Sequence, residues 1–230
     1  MSALAIREKL VLLIGLILSI AVHEFGHAIA ATKLGDDTPG VQGRVTLNPI
    51  AHMDPIGTLL APILFLFVLP GSIFFGWGRP VQINPGRFTH RVSMRMGDTL
   101  VALAGPAMNL VMAMILSGIL VGAIAAGMDP ASPILGAYHG QPYPFFGLRG
   151  VIMLNFILAA FNLLPIPPLD GGHVLLNAIP AHHRKIAEFI EQYGMWILLA
   201  VLMTGILGVI FEPVERLALA WLGWLGTIVS

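Results

Sequence analysis

LVLLIGLILSIAVHEFGHAIAA, residues Leu10–Ala31, decides the fold: it is a 22-residue apolar run that holds His23, Glu24 and His27 in its second half. Wound as an α-helix it is about 33 Å long, enough to cross a hydrocarbon layer of about 30 Å. A carboxylate in that layer costs roughly 2.5–3.5 kcal/mol on insertion scales, so a chain that keeps one there, flanked by two imidazoles, has a use for it. At about 100° per residue, the two histidines lie about 40° apart on one helix face, one turn from each other. Glu24 lies to the side of that pair, within reach of a water on a shared metal rather than of the metal itself.

The rest of the chain agrees with a membrane protein. It is 57% hydrophobic and only 10% charged, against about 25% charged in ordinary soluble domains, and its mean hydropathy is +0.85. The 12 basic and 12 acidic residues cancel, so no net field points to nucleic acid. Without cysteine, disulfides and thiolate ligands are excluded, and any metal site must draw on His, Asp or Glu. Arg7 and Lys9 before the apolar run imitate a signal peptide. No small-residue cleavage site precedes the histidines, however, so a retained span is expected.

Further along, Val41–Asn48 (VQGRVTLN) is β-branched and polar and predicts a short strand. Ile56–Phe75 is apolar but carries Pro62 and a Pro70-Gly71 break, followed by a polar connection with Arg79, Arg87, Arg91 and Arg95. Thr99–Met128 is a long uncharged stretch with Gly105-Pro106 and Asn109 near its start. A segment from Val151 runs through Asn162 into the broken stretch Pro165-Ile166-Pro167-Pro168-Leu169-Asp170-Gly171-Gly172. Tyr193–Ile210 is a further apolar segment, and the 13-residue tail Leu217–Val229 reads as interfacial or partly inserted.

Two histidines do not complete a catalytic zinc site, which uses three protein ligands and an open position. Asp170 is the other acidic residue set in an apolar, Gly/Pro-broken segment. Its prolines force non-helical backbone, which lipid tolerates only under protein cover. Gly171 and Gly172 permit close approach of that backbone to another element. Read alone, Asp170 is as good a helix cap as a ligand; beside His-Glu-x-x-His, the spacing of zinc peptidases, it reads as a ligand.

HEFGH, the Ala104-Gly105-Pro106-Ala107-Met108-Asn109 run, and Phe161-Asn162-Leu163-Leu164-Pro165 through Leu169-Asp170-Gly171-Gly172 together resemble the site-2 protease family of intramembrane metalloproteases. The likeness is nearest to a short prokaryotic branch with a Gly-Arg-Val-Thr-Leu-Asn-Pro loop, and no PDZ or nucleotide-sensing domain is visible. The resemblance implies that His23, His27 and Asp170 hold one Zn2+ per chain and that Glu24 is the catalytic carboxylate. It implies a transmembrane protein or peptide as substrate, and catalytic roles for Asn162 and Asn109. An Asn amide facing a developing oxyanion is worth about 3–4 kcal/mol if preorganised, and Asn162, nearer to Asp170, is the favoured donor. An edge strand at Arg44–Asn48 is expected to hold an unwound substrate by main-chain pairing.

The fold expected is all-α: one membrane-embedded peptidase domain over residues 1–230, with a catalytic core at about 10–180 and C-terminal helices at 193–230. It carries a short β-containing loop and a re-entrant segment. Ligands at one depth require the first and fourth apolar segments to run in one direction and the third in the other. Residues 56–75 then enter and leave the same face. Eight basic residues (Lys33, Arg44, Arg79, Arg87, Arg91, Arg95, Arg184, Lys185) fall on the ligand-proximal face against four (Arg7, Lys9, Arg149, Arg216) opposite. This predicts a multi-pass cell-membrane protein with its active site nearer the cytosol.

The competing class is a divalent-metal transporter, since intramembrane His and Glu also line ion pathways. Acidic residues are missing from the second, third and fifth apolar segments, which counts against a conduction path. His52 and Asp54 read as a turn or cap, His173 as a group behind Asp170 or a loop histidine, and His182 and His183 as a basic loop. Composition says nothing of oligomeric state.

Overall fold

The computed structural model describes residues 3–68, 76–89, 92–129, 132, 135 and 147–228. The first apolar run continues to both sides as α1, Ala3–Lys33. Two single turns follow, α2 (Thr38–Val41) and α3 (Pro49–His52), then α4 (Pro55–Val68), a mixture of π and α turns. The long helix α5 (Met94–Ala125) carries Pro106 in its interior. Next come α6 (Gly147–Asn162), α7 (Asp170–Ala178), α8 (Arg184–Thr204) and α9 (Ile206–Ile228). Segments Lys9–Lys33, Met94–Ala125 and Ala181–Thr204 are long and apolar enough to cross a membrane. Ile14, Met114, Ile115 and Ile119 are exposed outward on these helices, as lipid-facing side chains are.

Helices α1, α5 and α6 make the frame. Ser19, His23 and His27 of α1 meet Asn109, Asn109 and Val101 of α5, so the two helices run antiparallel. Gly15 and Ser19 meet Val151 and Asn155 of α6, so α1 and α6 run parallel. This is the arrangement that ligands at a common depth demand. The α1–α5 contact is backbone-close: a Cβ on Gly26 would stand 2.6 Å from the Ala104 carbonyl oxygen. Small residues at such crossings replace the hydrophobic drive that lipid does not supply. Ala113 and Leu120 of α5, Ile152 of α6, and Leu222 and Leu225 of α9 form a buried cluster beside it.

Three expectations are revised. No strand occurs among the described residues, and Val41–Asn48 is a string of turns. Pro39 and Pro49 start helical turns, and Gly43 reverses the chain at φ 67°. The amides of Gln42, Gly43 and Arg44 go to Thr38, Gly40 and Pro39 carbonyls, and the Thr46 carbonyl receives His52 Nε2. The Arg44 amide and the Thr46 carbonyl, which an edge strand would offer, are therefore consumed locally. The tail belongs to a longer helix: α9 begins after Gly205, at φ 69°, carries Pro213 within it, and buries Ala218, Leu222 and Leu225. Its Trp221 indole donates to Ser117 Oγ at 2.8 Å. The apolar segment before it accordingly ends at Thr204 rather than Ile210.

The proposed Pro70-Gly71 turn lies outside the described residues. On either side of it, the Trp77 amide donates to the Gly57 carbonyl at 3.1 Å and Thr58 Oγ1 to the Trp77 carbonyl at 2.8 Å. Residue 77 thus stands beside residue 57. Segment 76–84 continues as irregular chain alongside α1.

Candidate metal centre

Helix α1 presents His23 and His27 on the face that meets α5, where Gly105 leaves room for them. A Cβ at Gly105 would lie 2.4 Å from His27 Nε2 and 2.7 Å from His23 Cε1. Asp170 arrives from the opposite side at the first turn of α7. The chain between α6 and α7 folds back so tightly that a Cβ on Gly171 would stand 2.3 Å from the Leu163 carbonyl oxygen, and one on Gly172 2.5 Å from Pro167 N. Glycine at both positions is what allows this approach. Leu169 is the N-cap of α7 and Asp170 its first residue; Asp170 Oδ2 has no hydrogen-bond partner, and the carboxylate faces the two histidines.

His23 Nε2 lies 3.2 Å from Asp170 Oδ2, His27 Nε2 3.4 Å from Asp170 Oδ1, and the two Nε2 atoms are 3.0 Å apart. Tetrahedral ligands on zinc, with bonds of about 2.0 Å, are themselves about 3.3 Å apart. The tautomers reinforce the fit. His27 Nδ1 lies 2.8 Å from the Val101 carbonyl, which can only accept, so Nδ1 carries the proton. His23 Nδ1 lies 2.7 Å from Asn109 Oδ1, whose amide Nδ2 already donates to Asn155 Oδ1 and the Ser19 carbonyl. His23 Nδ1 is therefore the donor as well. Both Nε2 atoms then present bare lone pairs to each other and to a carboxylate, an assembly of acceptors that a metal cation, or a proton shared among them, relieves. Asp170 Oδ2 is buried with no hydrogen-bond partner, and leaving such an acceptor unmet costs about 1–3 kcal/mol, more when charged. The residues fit a zinc ion.

Glu24 is not one of the three clustered donors. Its Oε2 accepts the Val81 amide at 3.1 Å, which pins it against segment 76–84, and its other oxygen has no partner among the described residues. Asn109 is fully buried with both ends of its amide engaged. Asn162 donates Nδ2 back to the Leu158 carbonyl at 2.9 Å, one residue before the Leu163 carbonyl that abuts Gly171. His52 and Asp54 do not join the cluster: Asp54 caps the amides of Ile56 and Gly57, and His52 bonds Thr46.

Residues that sequence reasoning passed over support the centre. Asn155 links Asn109 to Ser19, giving the chain His23–Asn109–Asn155–Ser19 through buried side chains. An asparagine mid-way along an apolar segment, and a serine one turn before His23, were the signals available. Asp98 receives Asn177 Nδ2 at 2.7 Å and faces His173 Nδ1 at 3.5 Å, and Arg95 donates to the Ile179 carbonyl. These contacts bind α7 to α5 and hold Asp170 at its depth. Facing Asp98 raises the His173 pKa against the opposing effect of burial.

Comparison with known proteins agrees. The family model described as peptidase family M50 matches residues 11–205. The chain is 39% identical over 202 residues to YwhC of Bacillus subtilis (strain 168), covering 88% of this chain and 84% of that one. It is 34% identical over 191 residues to Rip2 of Mycolicibacterium smegmatis, covering 83% of this chain and 65% of the relative. The corresponding figures for Rip2 of Mycobacterium tuberculosis (strain H37Rv) are 30% over 194 residues, 82% and 65%. All three relatives are named as zinc metalloproteases. This chain thus spans about two thirds of each Rip2. No solved structure matches. The transporter alternative gives way: the chain belongs to peptidase family M50, the site-2 protease family, and is a zinc metalloprotease.

Proposed function

We propose that the protein is an intramembrane endopeptidase that cleaves a peptide bond in or near a transmembrane segment of another membrane protein, working as one membrane-embedded domain. One observation carries the reading: two imidazole Nε2 atoms, both stripped of protons by their partners, and an unbonded carboxylate oxygen converge inside a helix bundle whose outer face is apolar. His23, His27 and Asp170 are the proposed zinc ligands. Zinc held there supplies Lewis acidity to a water and to the scissile carbonyl.

Glu24 takes a proton from the attacking water as its oxygen adds to the carbonyl carbon. It passes that proton to the leaving nitrogen as the C–N bond breaks. The Val81 amide holds Glu24 Oε2 and leaves the other oxygen for the water. Asn109 acts through His23, fixing its tautomer, and is a positioning residue. Asn162 keeps one N–H uncommitted beside the turn that carries Asp170, and is the proposed oxyanion donor.

Residues 56–75 are proposed to enter and leave one face, because α1 ends on the side where the antiparallel α5 begins. The eight-to-four division of basic residues supports a site nearer the cytosol of a multi-pass protein in the cell membrane. The test is Glu24→Gln in purified, zinc-loaded protein with a labelled transmembrane peptide. Stoichiometric zinc with no cleavage is expected, and undiminished cleavage refutes the role of Glu24.

A further inference from the structure

Segment 76–84 has a second face. Val81 gives its amide to Glu24, and Arg79 gives its amide to the His52 carbonyl at 2.9 Å. The residues flanking Val81, Pro80 and Gln82, line a cavity of about 270 Å³ together with Arg79, Gln42 and Arg44. Gln42 Nε2 donates to Gln82 Oε1 at 2.9 Å, tying the two walls.

Arg44 is only 5% exposed. Its guanidinium has five N–H donors, and among the described residues its one acceptor is the Ala51 carbonyl. Neither Arg44 nor Arg79 has a carboxylate within ion-pair distance among the described residues, and no lining residue is acidic. Burial, followed by the Arg79 charge, lowers the Arg44 pKa, and Glu24 acts in the opposite direction. A sequestered cation in a cavity with an adjacent second cation calls for an anion.

We infer that the Arg44–Arg79 cavity is a substrate subsite that receives an Asp or Glu side chain lying a few residues from the cleaved bond. The cavity has room for a carboxylate side chain between the two guanidinium groups. The place decides for the substrate: the cavity wall is one residue from the contact with Glu24, and an extended peptide advances about 3.3 Å per residue. A lipid phosphate shares the oxyanion chemistry, and the experiment separates the two sources. The inference rests on the proposed peptidase function.

The experiment measures binding in Glu24→Gln protein, zinc-loaded, in uncharged detergent. Fluorescein-labelled transmembrane peptides carry a single Asp at each of several positions around the cleaved bond, with Asn at the same positions as the comparison. At one position Asp should bind about 10- to 100-fold tighter than Asn, the range of charge-assisted hydrogen bonds. Arg79→Gln, at an exposed position, and Arg44→Gln should each collapse that ratio toward one with zinc content unchanged. Arg79→Glu, which sets a carboxylate against Arg44 within the cavity, should abolish the preference for Asp. Equal binding of Asp and Asn peptides at every position overturns the subsite. So does a preference that survives Arg79→Gln, or an Arg effect that appears only in anionic nanodiscs and equally for both peptides, the mark of a lipid headgroup. If the Asp preference holds but wild-type protein cleaves none of the peptides, it is the peptidase reading that falls.

Discussion

His23 Nδ1 lies 2.7 Å from Asn109 Oδ1, and this one contact decides which nitrogen of the proposed ligand imidazole is free for metal. The amide can accept there only because its own N–H groups are engaged by Asn155 and Ser19. Asn109→Leu removes the acceptor, frees the ring to flip, and leaves Asn155 short of a partner. Zinc affinity should fall about 10- to 100-fold, the usual penalty for losing such a support. Competition with a metal-chelating dye measures it. An unchanged affinity would mean that packing alone orients His23.

Gly105 tests the space for the centre rather than its chemistry. Gly105→Ala sets a methyl 2.4 Å from His27 Nε2, so the ring must leave, and zinc binding should drop to background. Gly118→Ala, in the same helix with nothing within 4 Å of the new Cβ, should bind zinc as wild type does. Metal analysis of both purified proteins reads the difference. Full zinc occupancy in Gly105→Ala would show that α1 and α5 yield more easily than their contact suggests.

How far the sequence could be read depended on how strongly each residue broke its local pattern. His23, Glu24, His27 and Asp170 stand in apolar surroundings where polar groups are costly, so they were visible and the structure brings three of them together. The antiparallel run of α5 against α1 followed from the depth of the motifs alone. Val41–Asn48 misled because β-branched residues suggest a strand, whereas Pro39, Gly43 and Pro49 dictate turns that satisfy the backbone locally. Residues 211–216 fell between the last apolar segment and the tail, whereas Glu212 and Arg216 are an i,i+4 pair on α9. Asn155 was missed because its role appears only when three helices meet.

Metal removal should destabilise the fold by mass action, since zinc binds only the folded arrangement. At a free zinc concentration of about 1,000 times Kd the stabilisation is about 4 kcal/mol. Chelation should lower the unfolding midpoint of wild-type protein in detergent, and zinc should restore it. Asp170→Asn should abolish both responses. Its metal-free form should be no less stable than metal-free wild type, because the orphaned buried carboxylate oxygen is gone. A midpoint indifferent to chelator in wild type would contradict a ligand role for these side chains.

His173 and Asp98 supply a pH-dependent brace between α7 and α5. Facing Asp98, His173 holds its proton to higher pH than the ordinary value of about 6.5, so its folded pKa exceeds its unfolded one. Protonation then favours the folded state. The stabilisation is fully present below about pH 6.5 and is lost as pH rises through the higher folded value. His173 is about half exposed, so solvent screening limits the effect to about 1 kcal/mol or less. The midpoint difference between wild type and His173→Gln should therefore be largest near pH 5.5 and shrink toward pH 8.5. Because Asn177 also binds Asp98, His173→Gln leaves the α5–α7 contact in place, and the pH dependence isolates the charge. A difference that grows with pH would reverse the sign and require the neutral imidazole to be the favoured partner.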